Sequence, residues 1–254
     1  MQWMNVFTIT KKKLLVCCLV FFFAGKLLAF GISQPDSSLN KLIVVDAGHG
    51  GIDDGTSSNQ VKEKEINLKV AKYLTDYLSK GSLKVVMTRK DDSLYQNNRR
   101  KDIIQRAKMA NQRNADLFIS IHVNSFPGTS SFGGQSFYTP ECEESKQLAG
   151  FIQEELINIQ PENYRQIKPG PFYVLQHTEM PAVLVEVGFL SNPQDFQRLT
   201  NEEELKRIAK AIETGVINYL NEKLEQQSTK NEVPASSLDS NNQKLEPTLD
   251  PPRP

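Results

Sequence analysis

The chain has 254 residues, 39% hydrophobic and 24% charged, enough for one or two domains with a real core. Thirty Lys+Arg against thirty Asp+Glu leave a formal charge of zero, which argues against a nucleic-acid binder that relies on attraction to phosphates. Of three cysteines, Cys17 and Cys18 lie near the start, and Cys142 alone cannot close a disulfide in the folded part.

Residues 1–40 read as an export segment. Lys11, Lys12 and Lys13 precede eleven unbroken apolar residues, Leu14 to Ala24, the basic and apolar regions of a secretory signal. Counted across Lys26, residues 14–32 also form a 19-residue stretch that serves as an uncleaved anchor, close to the roughly 20 residues of a membrane span. Cleavage and anchoring stand as alternatives. Residues 41–225 are expected to fold as one domain. Residues 226–254 are rich in Ser, Asn, Gln and Pro and are expected to form a disordered polar tail, because they bury too little surface to offset ordering entropy.

Within 41–225, short apolar runs alternate with longer amphipathic stretches. Leu42 to Val45, Lys84 to Thr88, Leu117 to Ile121, Ser136 to Tyr138, Phe172 to Leu175 and Ala182 to Val185 read as strands. Lys64 to Leu78, Asn98 to Arg113, Glu143 to Ile159 and Glu202 to Leu224 carry helical spacing. The pattern predicts an α/β domain of three layers: a mostly parallel, twisted sheet of about six strands with helices on both faces. The chemistry of such a sheet belongs beyond the carboxyl ends of its strands.

Two of the three histidines stand at those ends: His49 in Asp46-Ala-Gly-His-Gly-Gly51 and His122 in Ser120-Ile-His-Val-Asn-Ser125. The glycines around His49 fail the dinucleotide fingerprint, since Asp53 occupies the third glycine position and Val61 still precedes the next helix. They suit a sharp bend that brings His49 close to a ligand. At the start of the first helix, Glu63 shares a face with Ile66, Asn67, Val70, Leu74 and Tyr77, which makes it a candidate cation ligand. Glu65 lines up with Lys69 and Lys72 on the solvated side. Glu186 ends the apolar strand Pro181-Ala-Val-Leu-Val185, where desolvation requires it to be ion-paired, beside a metal or carrying a proton near neutral pH. Two imidazoles and one carboxylate are the ligands of open catalytic zinc sites, and a second carboxylate takes the proton of the attacking water.

Competing motifs are absent: there is no G-x-S-x-G, H-E-x-x-H, P-loop or C-x-x-C in the folded part. Cys142 sits among glutamates, a setting that discourages a thiolate, and His177 reads as solvated. Arg89, Arg99 and Arg106 have two readings, structural pairing or orientation of an anionic substrate. On these residues alone the site serves any amide, so a sugar deacetylase, a peptidase and a silent wall-binding module remain open.

Taken in order, Asp46 to Gly51, Glu63-Lys64 with Asn67-Leu68, Thr88-Arg89, Ala115 to Ser125 and Pro181 to Asn192 resemble the zinc-dependent N-acetylmuramoyl-L-alanine amidases over nearly all of residues 41–222. The resemblance implies cleavage of the amide between the lactyl group of muramic acid and L-alanine in peptidoglycan. It implies one zinc per chain held by His49, Glu63 and His122, with Glu186 as catalytic acid/base and 41–225 as a monomeric catalytic domain. Asn124 and Arg89 are the candidate substrate-binding residues. Ala47 stands where the family commonly has proline. Segment 125–181 is too short for the long inhibitory insertion of some relatives, so an open site is expected. The single-domain layout is similar to the germination-specific subgroup acting on spore cortex. It points to an exported, extracytoplasmic protein, anchored or not through residues 14–32, with accessory partners unspecified.

Overall fold

Residues Leu42–Ala47 form strand β1 because an unbroken apolar run suits a strand buried on both faces; only Leu42 is partly exposed. The computed structural model describes residues 41–232 apart from residue 82, so the expected export segment lies outside the described residues. A two-residue hairpin, β2 (Ser57–Ser58) and β3 (Val61–Lys62), leads into helix α1 (Glu63–Lys80). Then come β4 (Lys84–Met87), a 3₁₀ turn at Tyr95–Asn97, helix α2 (Arg99–Gln112) and β5 (Leu117–Asn124). Next are β6 (Gln135–Tyr138), α3 (Glu143–Asn158), β7 (Lys168–Pro169), α4 (Tyr173–Gln176), β8 (Ala182–Phe189), α5 (Pro193–Leu199) and α6 (Glu202–Glu232).

Six strands make one sheet in the order β4-β1-β5-β8-β6-β7. The first four are mutually parallel, β6 runs antiparallel to β8, and β7 runs parallel to β6. This is the expected mostly parallel sheet. From β1 the chain moves to β4 on one side and then to β5 on the other, so strand order reverses at the β1/β5 boundary. Such a switch opens a crevice at the carboxyl ends of the two strands, and His49 and His122 lie at those two ends.

Alternation along the strands divides the core in two. Ile43, Val45, Ile119, Ile121, Val183 and Val185 face α1, α3 and α6 in the larger cluster. Val44, Phe118, Ala182 and Leu184 face α2 and α4 in a smaller one with Ala110, Val174 and Leu175. Asp46, Ser120, His122 and Glu186 continue the second set by period two, so this face becomes polar where the strands end.

Two expectations are corrected. Phe172 to Leu175 is no strand: Tyr173–Gln176 is the short helix α4, which packs Val174 and Leu175 onto Phe118 and Leu184. An apolar run of four residues carries no usable period, and the additional edge strand is Lys168–Pro169 instead. The last helix also continues to Glu232, past the expected end at Leu224 and into the segment expected to be disordered. Adding a turn to an established helix costs little, and the Gln226 amide donates to Glu222 one turn back at 2.9 Å. Residues 233–254 lie outside the described residues. Among those described, no helix is long and apolar enough to cross a membrane.

Candidate active site

The turn after β1 turns back on itself at once. Gly48 N–H donates to Ile121 O at 3.0 Å, and Gly50 and Asp53 exchange two main-chain hydrogen bonds of 2.9 Å. His49 takes φ +61°, a left-handed conformation uncommon outside glycine. Gly48 is required by close approach, since a β-carbon there would lie 2.3 Å from the His122 ring. Gly55 combines φ +67° with the same problem, 2.5 Å from Glu63 Oε2. The hairpin after it delivers Glu63 to the crevice, where Thr56 N–H donates to Glu63 Oε2 at 2.9 Å.

Glu63 Oε1 is the meeting point of the cluster. His122 Nδ1 lies 3.0 Å away and His49 Nε2 3.2 Å away, while Val123 N–H and the Asn67 amide donate to it at 3.1 and 3.2 Å. One donor atom from each of His49, Glu63 and His122 falls within 4.8 Å of the others. Tetrahedral zinc with bonds of about 2.0–2.1 Å separates its ligand atoms by about 3.3 Å, so the chemistry and spacing of this trio fit that ion. The other ring nitrogen of His49, Nδ1, lies 2.8 Å from Asp53 Oδ2, the arrangement by which a carboxylate fixes the tautomer of a ligating imidazole.

Electrostatics follow from burial. Burial opposes charge on Glu63, yet His122 and His49 outweigh it and hold the carboxyl far below its usual range. Burial would also lower His49, but Glu63 and Asp53 win and its pKa rises to about 9 as a protein group alone. Glu186 lies beside His122 in the β5/β8 register and is 8% exposed. Burial pushes it up to about 7, with the two histidines opposing and Glu63 assisting. Among the described residues its Oε2 has no hydrogen-bond partner. An orphaned buried carboxylate oxygen costs stability, and a raised pKa beside a cleft marks Glu186 as a candidate functional group.

Of the two readings for Arg89 and Arg106, both side chains display structural pairing. Arg89 is 6% exposed and spends its donors on the carbonyls of Ala47, Gly48, Lys64 and Asp91. Arg106 donates to the carbonyls of Ala47 and His49 and to the carboxylates of Asp46 and Asp102. Two buried guanidiniums thus hold three consecutive carbonyls of the His49 turn, and Arg89 ties that turn to the first turn of α1. Ser120 and Thr88 hydroxyls complete the shell of Asp46 at 2.6 Å each. Burial opposes the charge of Asp46, but Arg106 and these hydroxyls keep its pKa below the usual carboxylate range.

Asn124 is half-buried at the end of β5, where its Oδ1 accepts from Ser125 N–H. Glu65 is exposed and forms no ion pair among the described residues. His177 is exposed and stacks on Tyr173, apart from the cluster, and Cys142 accepts from the Ser145 hydroxyl at the start of α3. Sequence reasoning missed Asp53 and Asp102; a carboxylate four residues after His49, and another four before Arg106, were the available signals. A cleft of about 340 Å³ opens beside the histidines on the smaller-core face, lined among others by Arg99, Arg100, Tyr173 and Leu184.

A covered α/β sheet whose switch point carries a His, Glu, His trio beside an unpartnered carboxyl group has the equipment of a hydrolase. The chain belongs to the N-acetylmuramoyl-L-alanine amidase family, whose pattern it matches over residues 43–218; these are hydrolases of peptidoglycan. It is 35% identical over 192 residues to the germination-specific N-acetylmuramoyl-L-alanine amidase of Bacillus subtilis, covering 72% of this chain and 81% of that one. The CwlD amidase of Clostridioides difficile, solved in complex with the GerS lipoprotein, superposes with TM-score 0.68 at 36% identity over 72% of this chain and 99% of its own. The catalytic domain of CwlV from Bacillus (Paenibacillus) polymyxa gives 0.65 at 34% identity, over 71% and 98%.

Proposed function

We propose that this amidase uses zinc held by His49, Glu63 and His122, with Glu186 as its acid/base, to cut the bond between the lactyl carbonyl of N-acetylmuramic acid and L-alanine. The observation that carries the reading is Glu186 itself: a carboxyl group beside the trio, buried, without a partner on Oε2 and with its pKa raised to about 7. When bound, zinc supplies a Lewis acid and brings the pKa of a water molecule toward about 7. Glu186 accepts the proton of the attacking water and returns it to the departing alanine nitrogen, so one water and one amide become a lactyl carboxylate and a free amine. Asp53 keeps His49 in the tautomer that presents Nε2 to the cluster, and the clamped carbonyls fix the turn that carries it. Asn124, at the end of β5, is the remaining candidate for substrate contact.

The same reading places the protein outside the cytoplasm, acting on the wall or on spore cortex during germination. The name of the Bacillus subtilis relative supports the cortex role, and the complex of the Clostridioides difficile relative supports an accessory lipoprotein. Digestion of purified vegetative wall and cortex peptidoglycan, read by mass spectrometry, tests substrate and bond together. Free lactyl carboxylates with new N-terminal alanines are expected, with about one zinc per chain, loss of activity on chelation and recovery with zinc. Full activity of a metal-free preparation, cleavage between amino acids, or loss of acetyl groups overturns the corresponding part.

A further inference from the structure

The outer side of helix α2 carries cations without counter-charges. Arg100, Lys101 and Lys108 are exposed and form no ion pair among the described residues, and the one carboxylate of the helix, Asp102, is buried against Arg106. Residues three, four and seven apart share a helix face, so these three cations surround Ile104, which is 39% exposed. Gln96 links the stripe to an aromatic neighbour: Lys101 Nζ donates to Gln96 Oε1 at 2.9 Å, and Gln96 Nε2 donates to the Tyr95 hydroxyl at 3.3 Å. Tyr95 is itself 44% exposed. Acidic residues border the stripe at its ends. Asp91 and Asp92 precede Tyr95, and Asp92 is paired with Lys64; Glu179 N–H meets Asn111 Oδ1 near the far end of the helix. Between those ends α2 offers no exposed carboxylate.

We propose that the stripe of Arg100, Lys101, Ile104 and Lys108, with Tyr95 beside it, docks the domain on an anionic lipid surface. Basic residues around an apolar side chain, with a tyrosine at the rim, are the composition of a helix that lies in the headgroup layer. A soluble polyanion would engage the cations and leave Ile104 and Tyr95 in water, whereas a lipid surface takes phosphate contacts and apolar contacts at neighbouring depths. The entry of the chain favours the same occupant. Lys41 Nζ pairs with Asp116 at 2.8 Å, three residues beyond Arg113, the C-cap of α2, so the segment that reads as an export signal or anchor joins the domain beside the end of this helix. The eight residues 33–40 that separate the apolar stretch from Lys41 span at most about 28 Å, and the 14 residues of α2 make a helix about 21 Å long. That tether lets the helix lie along the surface that holds the apolar stretch. Each basic residue at such a surface strengthens association about fivefold, so the three cations favour the docked state on the order of 100-fold.

The test uses the full chain with its single tryptophan, Trp3, changed to phenylalanine and a reporter introduced by Ile104→Trp. Vesicles are made of brominated phosphatidylcholine, alone or in equimolar mixture with brominated phosphatidylglycerol. On the mixed vesicles, emission from position 104 should shift to the blue and lose most of its intensity to bromine; on phosphatidylcholine alone it should change little. High salt should reverse the quenching. Arg100→Gln, Lys101→Gln and Lys108→Gln combined in the reporter protein should weaken docking on the order of 100-fold and abolish the difference between the two vesicles. A reporter moved to the exposed Lys72 of α1, on the other face of the sheet, should be quenched by neither. No quenching at position 104, equal quenching on the two vesicles, quenching that survives in the triple variant, or equal quenching at position 72 overturns the proposal. A blue shift produced by soluble polyphosphate without quenching by lipid assigns the stripe to a polyanion, and one that grows with protein concentration in the absence of lipid assigns it to a second copy of the chain; either result also overturns it.

Discussion

The two faces of the sheet are built to different ends. On the face covered by α1, α3 and α6, alternate residues of β1, β5 and β8 are apolar to the strand ends, and helix residues such as Val70, Ile152 and Ile212 are fully buried. On the face covered by α2 and α4 the apolar set is shorter, and its place is taken toward the carboxyl ends by Asp46, Ser120, His122 and Glu186. The lesson is a division of labour. One face supplies burial at about 25 cal/mol per Å² of apolar surface. The other gives up part of that burial to hold polar groups in fixed, desolvated positions, where electrostatic effects are stronger.

Substitutions should separate the two. The largest effect on chemistry is expected from Glu186→Gln, which should lower turnover by about 10²- to 10⁴-fold while zinc content by metal analysis stays near that of the parent. The parent pH profile of kcat/KM should fall on the acid side, where a protonated Glu186 cannot accept the proton of water, and the variant should lack that limb. Stability should move the other way. A carboxyl group raised from 4.5 to about 7 favours the fold fully below 4.5, and that contribution is lost as pH rises through 7. Metal-stripped Glu186→Gln should therefore gain on the order of 1–3 kcal/mol over the stripped parent at pH 8 and little at pH 5 by urea unfolding. An unchanged difference between the two pH values would show that Glu186 is not penalised by burial.

Glu63→Gln should weaken zinc retention on the order of 10²-fold or more in competition with a chelator, with activity partly restored by excess metal. If Glu63→Gln kept zinc and turnover while Glu186→Gln lost metal, the two roles would be exchanged. On the opposite face, Ile152→Ala should cost about 2–5 kcal/mol through the cavity it leaves, yet turnover per folded molecule should be unaltered. A loss of kcat there would mean that the larger core tunes the site and does more than carry it. Smallest of all, Glu65→Gln should change stability by a few tenths of a kcal/mol at most and activity not at all.

The same division explains what sequence could and could not reveal. Five of six expected strands and all four expected helices form, because long runs of consistent period leave little freedom. His49, His122 and Glu186 were legible by position, at the ends of those strands, and Glu63 by the helix face it shares with Val70 and Leu74. Helix α4 was hidden because four apolar residues look alike in a strand and a helix. The partners of Arg89 were hidden, since nothing in Thr88-Arg89 says that they include main-chain carbonyls 25 to 42 residues away. The role of Asp53 was hidden for a related reason: its contact with His49 depends on the tight Gly50–Asp53 turn, a geometry that composition does not encode.

The sheet ends on one side in β4, which begins at the exposed Lys84, and on the other in the exposed pair Lys168–Pro169. An outermost strand offers unpaired main-chain groups to any other extended chain, and short length, lysine and proline are the usual means of refusing the offer. Pro169 has no N–H to give, and two residues are too few to template a long partner. A domain without internal disulfides that works among flexible peptides is thereby protected from adding one of them, or a second copy of itself, as a seventh strand.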